Sequence, residues 1–203
     1  VNTPFNLMRG FVCLAILATV AGCSSPPTRY FGTQPVMPGG SSSAGYQGPP
    51  VQIRTVNVPP QLDRAELMRE VSPGEFEVRE FDHWTAPLGQ LMRQTLTEDL
   101  AARLPAGAVI YPDASRLDPV AYISINILSF RFQGDRAVMQ VSWTVRSPTS
   151  VPALISDGQA TLDVPGSDRS GADISTSLSA TLAQLADRIT TGLRAAAVAT
   201  SKG

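Results

Sequence analysis

Past Cys23 the sequence has no cysteine, and in all 203 residues it has one histidine, His83. Those two shortages exclude a good deal of chemistry. Transition-metal sites draw on thiolates and imidazoles, and a single imidazole with no thiolate behind it cannot build a His-rich or Cys-rich centre. A Ser-His-Asp arrangement would have to recruit His83. Asp82 precedes it in the chain, but adjacency in sequence is not the spatial geometry that a triad needs. Neither GGSSSAG nor GSDRSG contains a Gly-x-Ser-x-Gly elbow, and no phosphate-binding loop is present. Carboxylates are available, but no spacing pairs them. The residues argue against an enzyme and call for no cofactor or metal. Charge of one sign is not in excess either: 16 Lys and Arg stand against 17 Asp and Glu. That balance gives no electrostatic case for nucleic acid or for an anionic lipid surface.

Long apolar runs are also missing. The run Phe11 to Val20 falls far short of the roughly 20 residues a spanning helix needs. Its setting, with Arg9 as the one charge before it and small residues after it, is that of an export signal. The segment Val20-Ala21-Gly22-Cys23 resembles the lipobox of bacterial lipoproteins, in which the cysteine receives a diacylglyceryl group. Val20 stands where that motif usually has leucine. The resemblance makes Cys23 the lipid-attachment residue and residues 1–22 a removed signal, and Ser24 after it implies sorting to the outer membrane. The mature chain then has 15 basic and 17 acidic residues, a formal charge of −2. Cys13 leaves with the signal and Cys23 is acylated, so no disulfide holds the fold.

From Ser24 to Pro50 the chain turns to Pro, Gly and Ser, ending in MPGGSSSAGYQGPP. Such a stretch buries too little apolar surface to offset its ordering entropy and reads as tether and loop, with a flexible reach of about 30 Å. Residues 51–203 suffice for one domain. VQIRTVNV reads as a strand ended by Pro59-Pro60, Leu62 to Glu70 as a short helical or turn segment, and EFEVREF as a second strand. Over residues 86–104, Leu88, Leu91, Met92, Leu96, Leu100 and Leu104 recur at helical spacing, with Thr85 as cap and Pro105-Ala106-Gly107 as stop. Its apolar set drifts, so one face meets the core and another is free for a partner. Asp99 and Arg103 lie one turn apart near that face. They fit an interfacial ion pair or an exposed pair of little energetic weight, and spacing favours the second.

A brief AVIY strand precedes VAYISINILSFRF, which shifts phase near Ile127 and Leu128 as a bulge would, and AVMQVSWTV, which alternates. ALISDGQATLDV adds β structure, with Gly158 as a turn or bulge. Ile174, Leu178, Leu182, Leu185, Ile189 and Leu193 form one narrow helical stripe, with Gly192 allowing close approach beside it. Two helices and five to seven strands, in the order β-β-α-β-β-β-α, predict an α+β fold in which a largely antiparallel or mixed sheet carries both helices on one face.

Three segments carry a family resemblance: VNVPPQLDRAELM, FDHWTAPLGQLMRQTLTEDLAARLP and AYISINILSFRFQGDRAVMQVSWTV. In that order behind a lipobox they resemble the PqiC family of ABC-type transport auxiliary lipoproteins. Leu62-Asp63-Arg64 is similar to that family's turn after its first long strand, and Trp84, Pro87 and Leu88 to its lead-in to the helix. Tyr30-Phe31 resembles an aromatic pair that opens the folded domain, which would move its start from 51 to near 30. His83 departs from the pattern, in which an arginine is usual. Trp84 reads as a core plug where a strand turns into a helix, with an anchor for a partner as the alternative. The resemblance implies a non-enzymatic outer-membrane lipoprotein that works with an inner-membrane transport component and an MCE-domain protein spanning the periplasm. It also implies lipid movement between membranes, support of envelope integrity and assembly as a homo-oligomeric ring. The competing class is a structural or chaperone-like envelope lipoprotein with no part in transport.

Overall fold

The computed structural model describes residues 26–39, 45–72, 74–112, 114, 120–147 and 154–200; the lipobox and Cys23 lie outside the described residues. Among the described residues the fold is α+β, with two helices and two mixed sheets of three and five strands. In chain order the elements are β1 (Arg29–Phe31), β2 (Val51–Asn57), β3 (Glu66–Ser72), β4 (Glu75–Trp84), α1 (Leu88–Ala101), β5 (Val109–Ile110), β6 (Ala121–Gln133), β7 (Arg136–Arg146), β8 (Leu154–Pro165) and α2 (Gly171–Thr200).

The larger sheet has the order β5-β2-β6-β7-β8. β6, β7 and β8 form an antiparallel meander, while β2 runs parallel to both β5 and β6. Alternation explains its burial. Ile123, Ile125, Val141, Trp143 and Val145 project into one core together with the apolar stripes of both helices. The phase shift in β6 is a bulge, with the register against β7 slipping between Ile127 and Ser129. α1 lies along β2 and α2 along β8, and the helices pack on each other. Every member of the α2 stripe, from Ile174 to Leu193, is buried. The start of α2 is fixed by a reciprocal cap: Ser170 N–H donates to Asp173 Oδ2 and Asp173 N–H to Ser170 Oγ, both at 3.1 Å.

The smaller sheet has the order β1-β4-β3, with β1 parallel and β3 antiparallel to β4. Here the structure departs from expectation. Residues 66–72 form β3 instead of a helical or turn segment; ELMREVS has helix-forming residues, and pairing with β4 overrides that preference. Among the described residues eight strands in two sheets replace the five to seven expected in one. Thr85 does not cap α1, whose N-cap is Pro87 with no side-chain cap. Gly158 is neither turn nor bulge. It sits opposite Trp143 within β8, and a Cβ there would lie 2.2 Å from the indole, so glycine makes room for the ring. Gly192 does allow close approach: a Cβ on it would lie 2.9 Å from Ser156 Oγ on β8.

Candidate functional site

The two motif segments meet at the surface. After Pro59-Pro60 ends β2, the chain folds on itself: Leu62 and Asp63 N–H donate to Pro59 O at 2.9 and 3.1 Å, and Arg64 N–H to Leu62 O at 3.0 Å. Leu62 turns into the core while Asp63 and Arg64 stay outside. Trp84 N–H then donates to Ala65 O at 2.7 Å, joining this turn to the end of β4. Pro87 O accepts from Gln90 and Leu91 N–H and starts α1. The first turn of α1 runs close to β2, since a Cβ at Gly89 would lie 2.9 Å from Val56 O. Between these pieces opens a shallow notch of about 420 Å³ lined by Asp63, Arg64, Ala65, Trp84, Ala86 and Pro87. Trp84 is 7% exposed and Leu88 is buried. The indole therefore plugs the core and offers the notch only its rim.

A second constellation lies between the helices. Residues 32–36 run as an extended strap over α1 and α2, and side chains of both helices grip its peptide groups. Ser175 Oγ donates to Gly32 O, and Gln34 N–H donates to Ser179 Oγ at 3.0 Å. Val36 is held twice: its N–H donates to Asp99 Oδ1 at 2.9 Å and its carbonyl accepts from Arg103 Nη1 at 3.1 Å. Thr33 inserts its hydroxyl 2.6 Å from that of Thr95. Asp99 and Arg103 are thus not an exposed pair. They are 0% and 3% exposed, 3.3 Å apart, and Arg103 Nε also meets Asp187 Oδ1 of α2 at 2.6 Å. Burial pushes the Asp99 carboxyl up to about 6, against the opposing pull of the Val36 N–H and of Arg103. Its Oδ2 is buried without a hydrogen-bond partner.

Asp82 and His83 diverge. Asp82 is buried and takes Arg29 Nη2 on Oδ1 at 2.7 Å and Arg79 Nη1 on Oδ2 at 3.6 Å. The His83 ring lies 3.1 Å from Glu80 O and edge-on to Tyr30. The acid's lone pairs serve two guanidinium groups, and no Asp-His relay forms. Among the described residues no group of three or more His, Cys, Asp or Glu side chains could hold a metal ion, and no helix is long and apolar enough to cross a membrane.

The sequence model of one family, described as the ABC-type transport auxiliary lipoprotein component, matches residues 33–190. The chain belongs to that family. As an ABC-type transport auxiliary lipoprotein it is a membrane-anchored protein of the cell envelope and an accessory part of a transporter, in a family of generally non-enzymatic members. No curated protein matches it. Several solved structures match it, two crystal structures among them sharing its fold over most of this chain. One, of an uncharacterized protein, superposes with a TM-score of 0.64 at 17% identity, covering 81% of this chain and 97% of the other. The other, a Xanthomonas campestris protein matching a family model for a domain of unknown function, gives 0.65 at 14% identity, covering 87% and 100%.

For this auxiliary lipoprotein, sequence reasoning named both halves of the notch but missed the strap, Asp187 and Arg29. Asp99 and Arg103 carried a signal in hindsight, because two charges one turn apart inside a drifting apolar set need a cover. No periodicity in residues 32–36 says that they supply it.

Proposed function

We propose that this lipoprotein is anchored in the outer membrane through Cys23 and serves, without chemistry of its own, as the docking subunit of an MCE/ABC-type intermembrane lipid transport system. Its partners on this reading are an MCE-domain periplasmic channel protein and an inner-membrane transport component, and it assembles as a homo-oligomeric ring of the PqiC kind. Three acyl chains at about 0.8 kcal/mol per buried methylene make the anchor effectively permanent. A ring needs two different patches on each subunit. The observation that carries the docking role is the convergence of Asp63 and Arg64 with Trp84 and Pro87 on one surface notch, with Leu62 and Leu88 buried beneath it. The β3–β4 hairpin brings the two segments together, and the recess between them stays open, so a partner can reach the exposed Asp63 and Arg64.

Gentle detergent extraction followed by affinity capture tests the reading. An MCE-domain protein should co-purify, and Arg64→Glu at the notch rim should weaken its recovery with the fold unchanged by circular dichroism. Capture that yields no MCE-domain protein from cells expressing one favours the structural or chaperone-like alternative. Mass measurement of the acyl-free domain at tens of micromolar tests the ring; a strict monomer, with no crosslinked oligomer in intact cells, overturns it.

A further inference from the structure

Few residues separate the proposed lipid-attachment site from the first strand of the fold: six steps along the chain lead from Cys23 to Arg29. Each adds at most about 3.3–3.6 Å, so Arg29 stays within about 20 Å of Cys23 whatever path the chain takes. That strand is fastened. β1 pairs with β4 from Arg29↔Asp82 to Phe31↔Trp84, Arg29 closes on Asp82, and Thr85 N–H donates to Phe31 O at 2.9 Å. A short leash tied to a fastened strand keeps that strand close to the lipid, and the chemistry of the surface decides which end faces it.

The chemistry of that end suits the headgroup zone. Tyr30 is 65% exposed, its ring steadied edge-on by His83 at 5.7 Å between centroids. Next to it, because Phe31 pairs with Trp84, opens the notch, with Ala65, Ala86 and Pro87 along its wall and the charged Asp63 and Arg64 at its rim. An aromatic body with a polar tip, beside small apolar surface, is what an interface between water and hydrocarbon favours. Ala106, beyond the C-terminal end of α1, is separated from the Pro87 side of the notch by the length of that 14-residue helix, about 20 Å.

We infer that the β1 end of the domain, with Tyr30 and the Trp84 notch, rests against the headgroup zone of the bilayer that holds the acyl chains of Cys23, and that the Ala106 end points away from it. The inference rests on acylation of Cys23, as proposed above, and adds an orientation to it. It also makes the notch a membrane-proximal recess, so any partner seated there approaches along the bilayer surface.

Acylation leaves the mature chain without a free thiol, so Tyr30→Cys and Ala106→Cys each create one labelling site. The acylated variants, carrying an environment-sensitive fluorophore, are reconstituted into phosphatidylcholine vesicles and quenched by nitroxide-headgroup lipid. Thr28→Cys, just outside β1, replaces Tyr30→Cys should that variant fail to fold. Quenching several-fold stronger at 30 or 28 than at 106 is expected. Equal quenching, or stronger quenching at 106, overturns the orientation. Intact mass and vesicle flotation separate the two failures: acylated, floating protein with equal quenching refutes the apposition alone, whereas unacylated protein that stays in solution removes the anchor and the orientation together.

Discussion

The two sheets of this protein are held by different physics. In the larger one, β6 and β7 send Ile123, Ile125, Val141 and Val145 into a core where each is fully buried. In the smaller one, β3 and β4 are half-buried or exposed along most of their length, and ionic contacts do the fastening. Arg69 holds Glu77 at 2.7 Å and Asp168 at 3.4 Å, and Arg79 donates to Asp168 O at 2.6 Å and to Arg169 O at 3.0 Å, tying β4 to the lead-in of α2. Apolar burial writes a period into a sequence; charge pairing across 50 or more residues writes none. The sheet that is easiest to read is thus the one that contributes most to stability.

The largest effect should come from the larger sheet. Ile125→Ala removes a fully buried side chain and should cost about 3–4 kcal/mol in urea unfolding; a loss below about 1 kcal/mol would mean the core is not shared as described. A charge buried beside this core should cost stability instead of adding it. Asp99 keeps its proton in the folded state up to about pH 6 but releases it near 4 when unfolded. Its stabilising contribution is therefore fully present below pH 4 and disappears as pH rises through 6. The span of about two units corresponds to about 3 kcal/mol. Asp99→Asn should flatten that dependence while Val36 N–H keeps an acceptor.

In the smaller sheet the sign reverses. Asp82→Ala takes the carboxylate from Arg79 Nη1, leaving Arg79 its bonds to Asp168 O and Arg169 O, and frees Arg29; it should cost about 2 kcal/mol. Amide exchange should accelerate at residues 29–31 before it does in β6 or β7. Unchanged protection of β1 would show that backbone pairing alone retains it. Smallest of all, Arg69→Ala breaks pairs that are partly exposed on both sides, and thermal unfolding should register no more than about 1 kcal/mol.

The same contrast explains what could be read beforehand. α1, α2, β6 and β7 follow their apolar periods, and the bulge at Ile127 showed as a break in one. β3 failed because only Leu67 of its seven residues is buried, so ELMREVS shows helix propensity and no strand alternation. Gly158 failed because a glycine chosen to accommodate an indole from a neighbouring strand looks the same, in sequence, as a glycine chosen for a turn. At the candidate site, both motif segments were visible as resemblances. Their meeting depends on the Trp84–Ala65 hydrogen bond, which leaves no local trace; the burial of Asp99 depends on a strap more than 60 residues upstream, and the pair of charges inside an apolar face shows that a cover is needed without showing which residues supply it.

The parallel pairing of β2 with β6 has a bearing on how the protein is made. Val51 waits for Ala121 and Asn57 for Asn126, so a chain delivered N-terminus first displays β2 for about 70 residues of synthesis or translocation before its partner arrives. β6, β7 and β8 follow one another closely in the chain, and β2 must then insert between β5 and β6 to complete the sheet. Long-range closure of this kind is slow, and an unpaired β-branched strand is open to the wrong neighbour in the interval. The hazard falls on the N-terminal half, whose strand stands unpaired the longest.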